Sequence, residues 1–264
     1  MTDAVTGTDF IALLREHGQW PQARLGDPSA TLGLESTEAT TILAVRYRDG
    51  VLVAGDRRAT MGNTVVYDRA DKVLMVDDRS VIAIAGSPAN AYEIVRMLEM
   101  SFQHYRRSQL QELSLEGKLR TLSRLLRENL PMALQGIGAV IPIYATYDEA
   151  DVTGKIFFYD MLGAQFESVD FCTTGSGSTM IRGALYYHNR WDVPLSQMDE
   201  GQSLELILKM LETAAEFDTA TGGFRPIANV FPQVMRVNAA GISSIEESVL
   251  ESLYETRLSQ RRQG

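Results

Sequence analysis

The order in which strand-like and helix-like segments follow one another constrains the fold of this chain more than any other feature. Two apolar runs, TTILAVRY and VLVAGD, flank Asp49-Gly50, a dipeptide typical of tight hairpin turns. A second pair of runs, KVLMV and VIAIAG, flanks the polar stretch DDRS. Consecutive hairpins favour antiparallel sheets over the strand–helix–strand repeats of a parallel sheet.

Helical periodicity follows the two hairpins. One helix is predicted from Ser87 as N-cap, with Pro88 at its first position and apolar residues recurring to Phe102. A second is predicted over residues 114–135, where Pro131 is expected to kink or end it. The remaining predicted strands are AVIPIYATY, KIFFYD, FESVDFCTT and QVMRVNAAGI, and the remaining predicted helices cover residues 178–188, 203–217 and 245–258. Strands in runs and helices in pairs predict packed sheets covered by helix pairs.

Residues 1–39 differ in composition from the rest of the chain. A short amphipathic stretch, Phe10 to Leu14, precedes PQARLGDPSATLGLESTEA, which is rich in Pro, Gly, Ser and Thr. This composition predicts a mobile leader with one candidate helix. On composition alone, the simplest interpretation is a frayed terminus.

Charge and cysteine content narrow the classes of function. The 264 residues are 45% hydrophobic and carry a net charge of -9, which disfavours binding to nucleic acid or to an anionic membrane. No apolar run approaches the roughly 20 residues of a membrane span. The single cysteine, Cys172, excludes an internal disulfide and a CxxC site, and the N-terminus lacks a secretory pattern. We therefore expect a soluble cytoplasmic protein that uses neither a metal nor a cofactor.

Thr40-Thr41 stands where the leader meets the first predicted strand. An internal threonine is a weak nucleophile. Cleavage of the Ala39-Thr40 bond would give Thr40 a free α-amine, which can act as base for its own hydroxyl. Threonine is also common at the start of strands, and the dipeptide alone favours that structural role.

Three further residues could assist such a nucleophile. Asp56 ends the second hairpin strand, which returns beside the first, so it can lie near Thr40. Lys72, one of four lysines, would stay charged beside a buried carboxylate and would favour a deprotonated threonine oxygen. Gly86 lies between a strand and a helix N-terminus, where its N–H could stabilise an oxyanion. Taken singly, the first two are better explained as surface residues, and Gly86 fits a turn equally well.

Two clusters of small residues complete the set. TTGSGS lacks the lysine of a phosphate-binding loop and departs from GxGxxG, so a nucleotide site is excluded. FDTATGG offers Asp218, Thr219 and Thr221 as groups that could orient an amine. In isolation it is typical of a helix C-terminus with glycine stop signals.

Together, the order and spacing of Thr40-Thr41, GDRR, Lys72, IAGSP, GSGS and DTATGG resemble the β-subunit of the bacterial, actinobacterial-type 20S proteasome. The resemblance covers residues 40 to about 250. It implies an α+β fold, the four-layer αββα sandwich of N-terminal nucleophile hydrolases, with one catalytic domain over 40–264. It also implies a threonine endopeptidase activity that degrades unfolded proteins inside a ring chamber.

The resemblance assigns roles residue by residue. Thr40 would be the nucleophile and, through its freed amine, the base, tuned by the pair Asp56 and Lys72. The other implied catalytic groups are the N–H of Gly86 in the oxyanion hole and Ser176, Asp218 and Thr221 around the amine and a catalytic water. Thr60 would hydrogen-bond the substrate backbone. The residues that would shape the pocket for the side chain before the scissile bond are Ala59, Ala70, Leu74, Ile84 and Tyr92. This set is small and apolar, which predicts a preference for apolar or aromatic residues there.

The leader and the partners also acquire roles by resemblance. Residues 1–39 would be a propeptide, removed autocatalytically at Ala39-Thr40. Partners would be homo-oligomeric, heptameric β rings, α-subunit rings at the ends, a ring ATPase unfoldase, and protein substrates.

Two departures from the family keep alternatives open. Ala39 replaces a residue that is usually Gly, which is expected to slow processing. Pro88 stands where a residue commonly donates its N–H to substrate, so one hydrogen bond is expected to be missing. The alternatives are a heat-shock-type ATP-dependent peptidase subunit, a non-catalytic ring-forming structural subunit, and a generic α+β binding domain. The long leader and DTATGG oppose the first, and the joint retention of Thr40, Asp56 and Lys72 opposes the second. The third would make the whole spacing a coincidence.

Overall fold

Two five-stranded sheets lie face to face between two layers of helices. The computed structural model describes residues 9–18, 40–61, 64–134, 138–225 and 228–258. The strands are β1 (Thr41–Tyr47), β2 (Gly50–Gly55), β3 (Ala59–Met61), β4 (Thr64–Tyr67), β5 (Val73–Asp77), β6 (Ser80–Gly86), β7 (Val140–Asp148), β8 (Thr153–Tyr159), β9 (Gln165–Ser168), β10 (Phe171–Gly175), β11 (Gln233–Asn238) and β12 (Gly241–Ser244). The helices are α1 (Phe10–Glu16), α2 (Pro88–Gln109), α3 (Leu115–Ala133), α4 (Ser178–Trp191), α5 (Glu200–Phe217) and α6 (Glu247–Leu253), the last continued by a π-helical turn over Tyr254–Leu258.

The strand order defines the two sheets. The first sheet runs β10-β1-β2-β11-β12 and the second β5-β6-β7-β8-β9, with every neighbouring pair antiparallel. Strands β3 and β4 form a separate small hairpin. Helices α4 and α5 contact the first sheet, and α2 and α3 contact the second. The α+β fold class and the four αββα layers are therefore confirmed.

Burial on both faces explains why the central strands are continuous apolar runs. In β1, Ile42 and Ala44 face the cluster between the sheets, while Leu43 and Val45 face the cluster under α4 and α5. The same alternation holds in β6, where Ala83 faces the other sheet. A strand with two buried faces cannot show an apolar–polar alternation.

Two predicted strands are wrong in their continuity. FESVDFCTT divides into β9 and β10, which belong to different sheets, so the chain crosses between the sheets after Ser168. QVMRVNAAGI turns after Asn238 into the hairpin of β11 and β12. The β3–β4 hairpin was not predicted; all four residues of β4 are exposed, so no buried face revealed it. Pro131 lies inside α3, which ends two residues later at Ala133.

The described part of the leader is a docked helix. In α1, Ile11 is fully buried in the same apolar cluster as residues of α2 and α3. This helix includes the stretch Phe10 to Leu14, where the sequence predicts a candidate helix. The rest of the leader, including the predicted cleavage residue Ala39, lies outside the described residues. Within the described ranges, no helix is long and apolar enough to cross a bilayer.

Candidate active site

The β1–β2 hairpin brings Asp56 to the start of β1. Its antiparallel register pairs Ile42 with Gly55, so Thr41, which precedes Ile42, and Asp56, which follows Gly55, lie at the same end of the hairpin. The N–H of Thr41 donates to Asp56 Oδ1 at 2.8 Å, and the N–H of Asp56 donates to the Thr41 carbonyl at 3.1 Å. The proximity of Asp56 to the Thr40-Thr41 segment, inferred from the hairpin turn, is therefore present in the structure.

Asp56 is fully buried and accepts four hydrogen bonds. Its Oδ1 accepts from Thr41 N–H and from Lys72 Nζ, the latter at 2.7 Å. Its Oδ2 accepts from the N–H groups of Arg58 and Gly222, both at 2.9 Å. Four donors on one carboxylate fix its orientation and compensate its burial.

Lys72 is also buried, with 5% of its surface exposed. Besides the Asp56 carboxylate, its Nζ contacts the Arg58 carbonyl at 2.6 Å. Burial lowers the pKa of Lys72, and the opposing effect of Asp56 does not restore it. We expected the carboxylate to keep this lysine charged. A lowered pKa does not contradict that expectation, but it makes Lys72 an amine that gives up its proton more readily than an ordinary lysine.

A second polar group holds the backbone of Thr40. The N–H of Ser176 donates to the Thr40 carbonyl at 2.9 Å. The hydroxyls of Ser176 and Thr221 each donate to Asp218 Oδ2 at 2.6 Å. Burial acts to raise the pKa of Asp218, but these hydrogen bonds outweigh it and the pKa is lowered. The three residues predicted to surround the amine thus lie together beside Thr40.

Two positioning residues were missed in the sequence. Thr41 Oγ1 accepts from the N–H of Gly177 at 2.9 Å and lies 2.6 Å from Thr221 Oγ1. Arg58 donates through Nη1 to the carbonyls of Thr219 and Thr221, at 2.8 and 3.2 Å. Thr41 belongs to the Thr-Thr motif and Arg58 to GDRR, so the motifs alone could have marked both residues as part of the site. Their partners, however, are more than 130 positions away in the chain.

Gly86 occupies a position that only glycine can fill. Its φ is +106°, and a Cβ there would stand 2.1 Å from the carbonyl oxygen of Ala139. The next N–H, of Ser87, donates to that same carbonyl at 2.9 Å. This contact fixes the turn that leads from β6 into α2, where the predicted oxyanion donor lies.

A cavity of about 40 Å³ lies against Thr40. The predicted catalytic groups that line it are Thr40, Lys72 and Gly86, and the predicted substrate-contacting residues that line it are Ala59, Thr60, Ala70, Ile84 and Tyr92. The Tyr92 hydroxyl donates to the Asp71 carbonyl at 2.9 Å and closes one side. Leu74 is different: its side chain packs against the cluster of α2 and α3 and lies outside the described lining.

The donor atoms needed for a metal site do not cluster in the described ranges. No group of three or more His, Cys, Asp or Glu side chains there could hold a metal ion. A roomier cavity, of about 920 Å³, follows β10 and α4 and includes the buried Cys172. It contains none of the predicted catalytic residues.

Comparison with known proteins agrees with the site. Residues 36–229 match the family model described as Proteasome subunit. Proteasome subunit beta of Acidothermus cellulolyticus is 39% identical over 242 residues, covering 90% of this chain and 81% of its own length. Proteasome subunit beta 2 of Thermomonospora curvata is 40% identical over 262 residues, covering 98% and 91%. Proteasome subunit beta of Acidimicrobium ferrooxidans is 36% identical over 247 residues, covering 94% and 88%. The resemblance to bacterial proteasome β-subunits is confirmed, and the chain belongs to the proteasome subunit family.

Proposed function

We propose that this chain is the catalytic β-subunit of a 20S proteasome, a threonine endopeptidase with Thr40 as nucleophile. The observation that carries the proposal is the buried Asp56–Lys72 pair beside a cavity lined by Thr40. A structural subunit has no need of a buried ion pair at that position. The match to proteasome subunits also favours this function over the heat-shock-type peptidase and over a generic binding domain.

Peptide hydrolysis starts with the hydroxyl of Thr40. In the processed chain the α-amine of Thr40 takes the hydroxyl proton, and the oxygen attacks the scissile carbonyl carbon. The N–H of Gly86 donates to the oxyanion. The C–N bond then breaks, the proton passes to the leaving amine, and an ester to Thr40 remains. Water hydrolyses this ester next to Ser176 and Asp218.

Self-cleavage requires a different base. Before processing, the nitrogen of Thr40 is an amide and cannot accept a proton. Lys72, whose pKa burial lowers, is the amine available at the site. It takes the hydroxyl proton while the oxygen attacks the carbonyl carbon of Ala39. The C–N bond between Ala39 and Thr40 then breaks, the proton passes from Lys72 to the Thr40 nitrogen, and an ester of Ala39 to the Thr40 oxygen remains. Water hydrolyses this ester, which releases residues 1–39 and leaves Thr40 with a free amine.

The intact mass and the N-terminal sequence of the chain, purified with its α-subunit, test the proposal. We expect a new N-terminus at Thr40. A chain that keeps residues 1–39 in fully assembled rings would contradict self-cleavage, would favour the non-catalytic structural subunit, and would point to Ala39 as the reason.

Pro88 gives a prediction for substrate binding. Pro88 lines the cavity beside Thr40 and cannot donate a backbone hydrogen bond. Replacing it by Ala should restore that donor and lower KM about 2- to 10-fold, because one neutral hydrogen bond contributes about 0.5–1.5 kcal/mol. The kcat should change less than about twofold. Both KM and kcat are measured with peptide substrates that carry an apolar residue before the scissile bond. An unchanged or higher KM for Pro88→Ala would show that no substrate acceptor faces this position.

Assembly follows from the same proposal. The relatives carry the name proteasome subunit beta, which supports stacking of homo-oligomeric β rings between α-subunit rings. Large apolar side chains are exposed on β4 and on α4, and contacts in a ring would cover them. On these two elements, the largest exposed side chains are those of Tyr67, Tyr186, Tyr187 and Trp191. A ring ATPase that feeds unfolded proteins and a cytoplasmic location complete the proposal.

A further inference from the structure

The leader helix α1 lies in a groove between α2 and α3. Ile11 is fully buried there, and Phe10 and Leu14 pack against the same apolar cluster. The ring of Phe10 also lies 5.3 Å from that of His104, between centroids. One face of α1 is therefore apolar and complementary to the groove.

A charged pair lies at each end of α1. The Asp9 carboxylate caps the helix by accepting from Ile11 N–H, and it also receives two hydrogen bonds from Arg124, at 2.7 and 3.1 Å. At the other end, Arg15 forms an ion pair with Glu128. Because the cation lies at one end of the groove and the anion at the other, the groove selects a helix of one direction.

The two helices that form the groove are much longer than α1. A helix of 7 residues is unstable alone in water, since isolated helices shorter than about 12–15 residues are marginal. By contrast, α2 and α3 have 22 and 19 residues and bury side chains of their own. A cavity of about 360 Å³ continues beside α1, lined in part by Ser101, Tyr105 and Thr121. The groove thus extends beyond the helix that occupies it.

We propose that this groove is a docking site for a short amphipathic helix with an acidic N-cap and a basic last turn, and that the leader helix occupies it in cis. A covalent tether holds the helix at an effective concentration on the order of millimolar. Loss of residues 1–39, a step that depends on the proposed self-cleavage, removes the tether. The helix then dissociates, and the groove opens when the nucleophile is freed.

A peptide of residues 1–20, labelled with a fluorophore, tests the docking site independently of catalysis. All proteins are full-length chains with Thr40→Ala, so residues 1–39 stay attached. The parent chain is compared with a chain carrying Asp9→Ala and Ile11→Asp, whose own helix cannot dock. Fluorescence anisotropy measures binding, and thermal melting confirms that each chain is folded. Should the double variant fail to fold, Asp9→Ala alone takes its place, because it removes the cap without creating a partner for Arg124→Glu.

We expect saturable binding to the chain with the disabled helix and at least tenfold weaker binding to the parent, whose groove is occupied. Adding Arg124→Glu should weaken peptide binding at least fivefold, and a peptide carrying Asp9→Arg should recover it. Equal binding to the parent and the disabled chain would overturn the proposal. Absence of binding to a folded disabled chain, or binding indifferent to Arg124→Glu, would overturn it as well.

Discussion

Thr40→Ala should leave the chain folded and full length, and should lower peptidase activity by a factor of about 10⁴ or more. The factor is the loss typical of removing a covalent nucleophile. Alanine removes the attacking hydroxyl and keeps the backbone carbonyl that Ser176 N–H contacts. Intact mass reports processing, and hydrolysis of a fluorogenic peptide reports activity.

Two matched variants show which threonine reacts. Thr40→Ser keeps a hydroxyl and should still be processed and active. Thr41→Val removes the hydroxyl that contacts Gly177 and Thr221, but leaves the nucleophile in place, so some processing should survive. A processed and active Thr40→Ala chain would overturn the assignment of the nucleophile.

Lys72→Ala should be nearly as damaging. Loss of a general base lowers rates by about 10²–10⁴-fold. It also leaves the buried Asp56 carboxylate without its cation, which destabilises a fold by about 3–5 kcal/mol in comparable buried pairs. Three backbone N–H groups still contact Asp56 and should reduce that loss. Urea unfolding and single-turnover processing measure the two effects separately.

Lys72→Arg separates charge from basicity. Arginine retains the cation beside Asp56 but does not deprotonate in proteins, so processing should still fail. The double variant Asp56→Asn/Lys72→Met removes both charges; it should recover stability without recovering activity. Substantial turnover by Lys72→Ala or Lys72→Arg would remove Lys72 from the mechanism.

The pH dependence of processing follows from the same residue. Only neutral Lys72 can accept the hydroxyl proton, and its neutral fraction increases with pH. Because burial lowers its pKa, the rate of self-cleavage should rise with pH below the range of an ordinary lysine, near 10.4. A rate that rises only above that range would contradict the proposed base.

Local signals in the sequence were sufficient for the centre of the site. The turn between β1 and β2 is Arg48-Asp49, one position before the predicted Asp49-Gly50, because Gly50 is the first residue of β2 and pairs with Tyr47. The hairpin itself was readable from these residues, and its register brings Asp56 to the Thr40-Thr41 segment. The position of Gly86 between a strand and a helix was likewise readable, because a turn of this kind requires a residue that tolerates a positive φ.

Features that depend on distant parts of the chain were not predictable. The crossing between β9 and β10 contains neither Gly nor Pro, so FESVDFCTT has no local signal of a break. Thr41 contacts Thr221, 180 positions away, and Asp9 contacts Arg124, 115 positions away. The direction of the pKa shift of Lys72 required its burial, which no motif specifies.

The backbone contacts described for the Thr40-Thr41 segment lie on the carboxyl side of Thr40. Its carbonyl is held by Ser176, and the N–H of the following Thr41 is held by Asp56. In the proposed self-cleavage, the chain on the amino side of Thr40 is removed, and these contacts on its carboxyl side stay in place. For protein engineering, unrelated segments could be fused ahead of Thr40, and their removal would report in real time on the moment at which the site becomes competent.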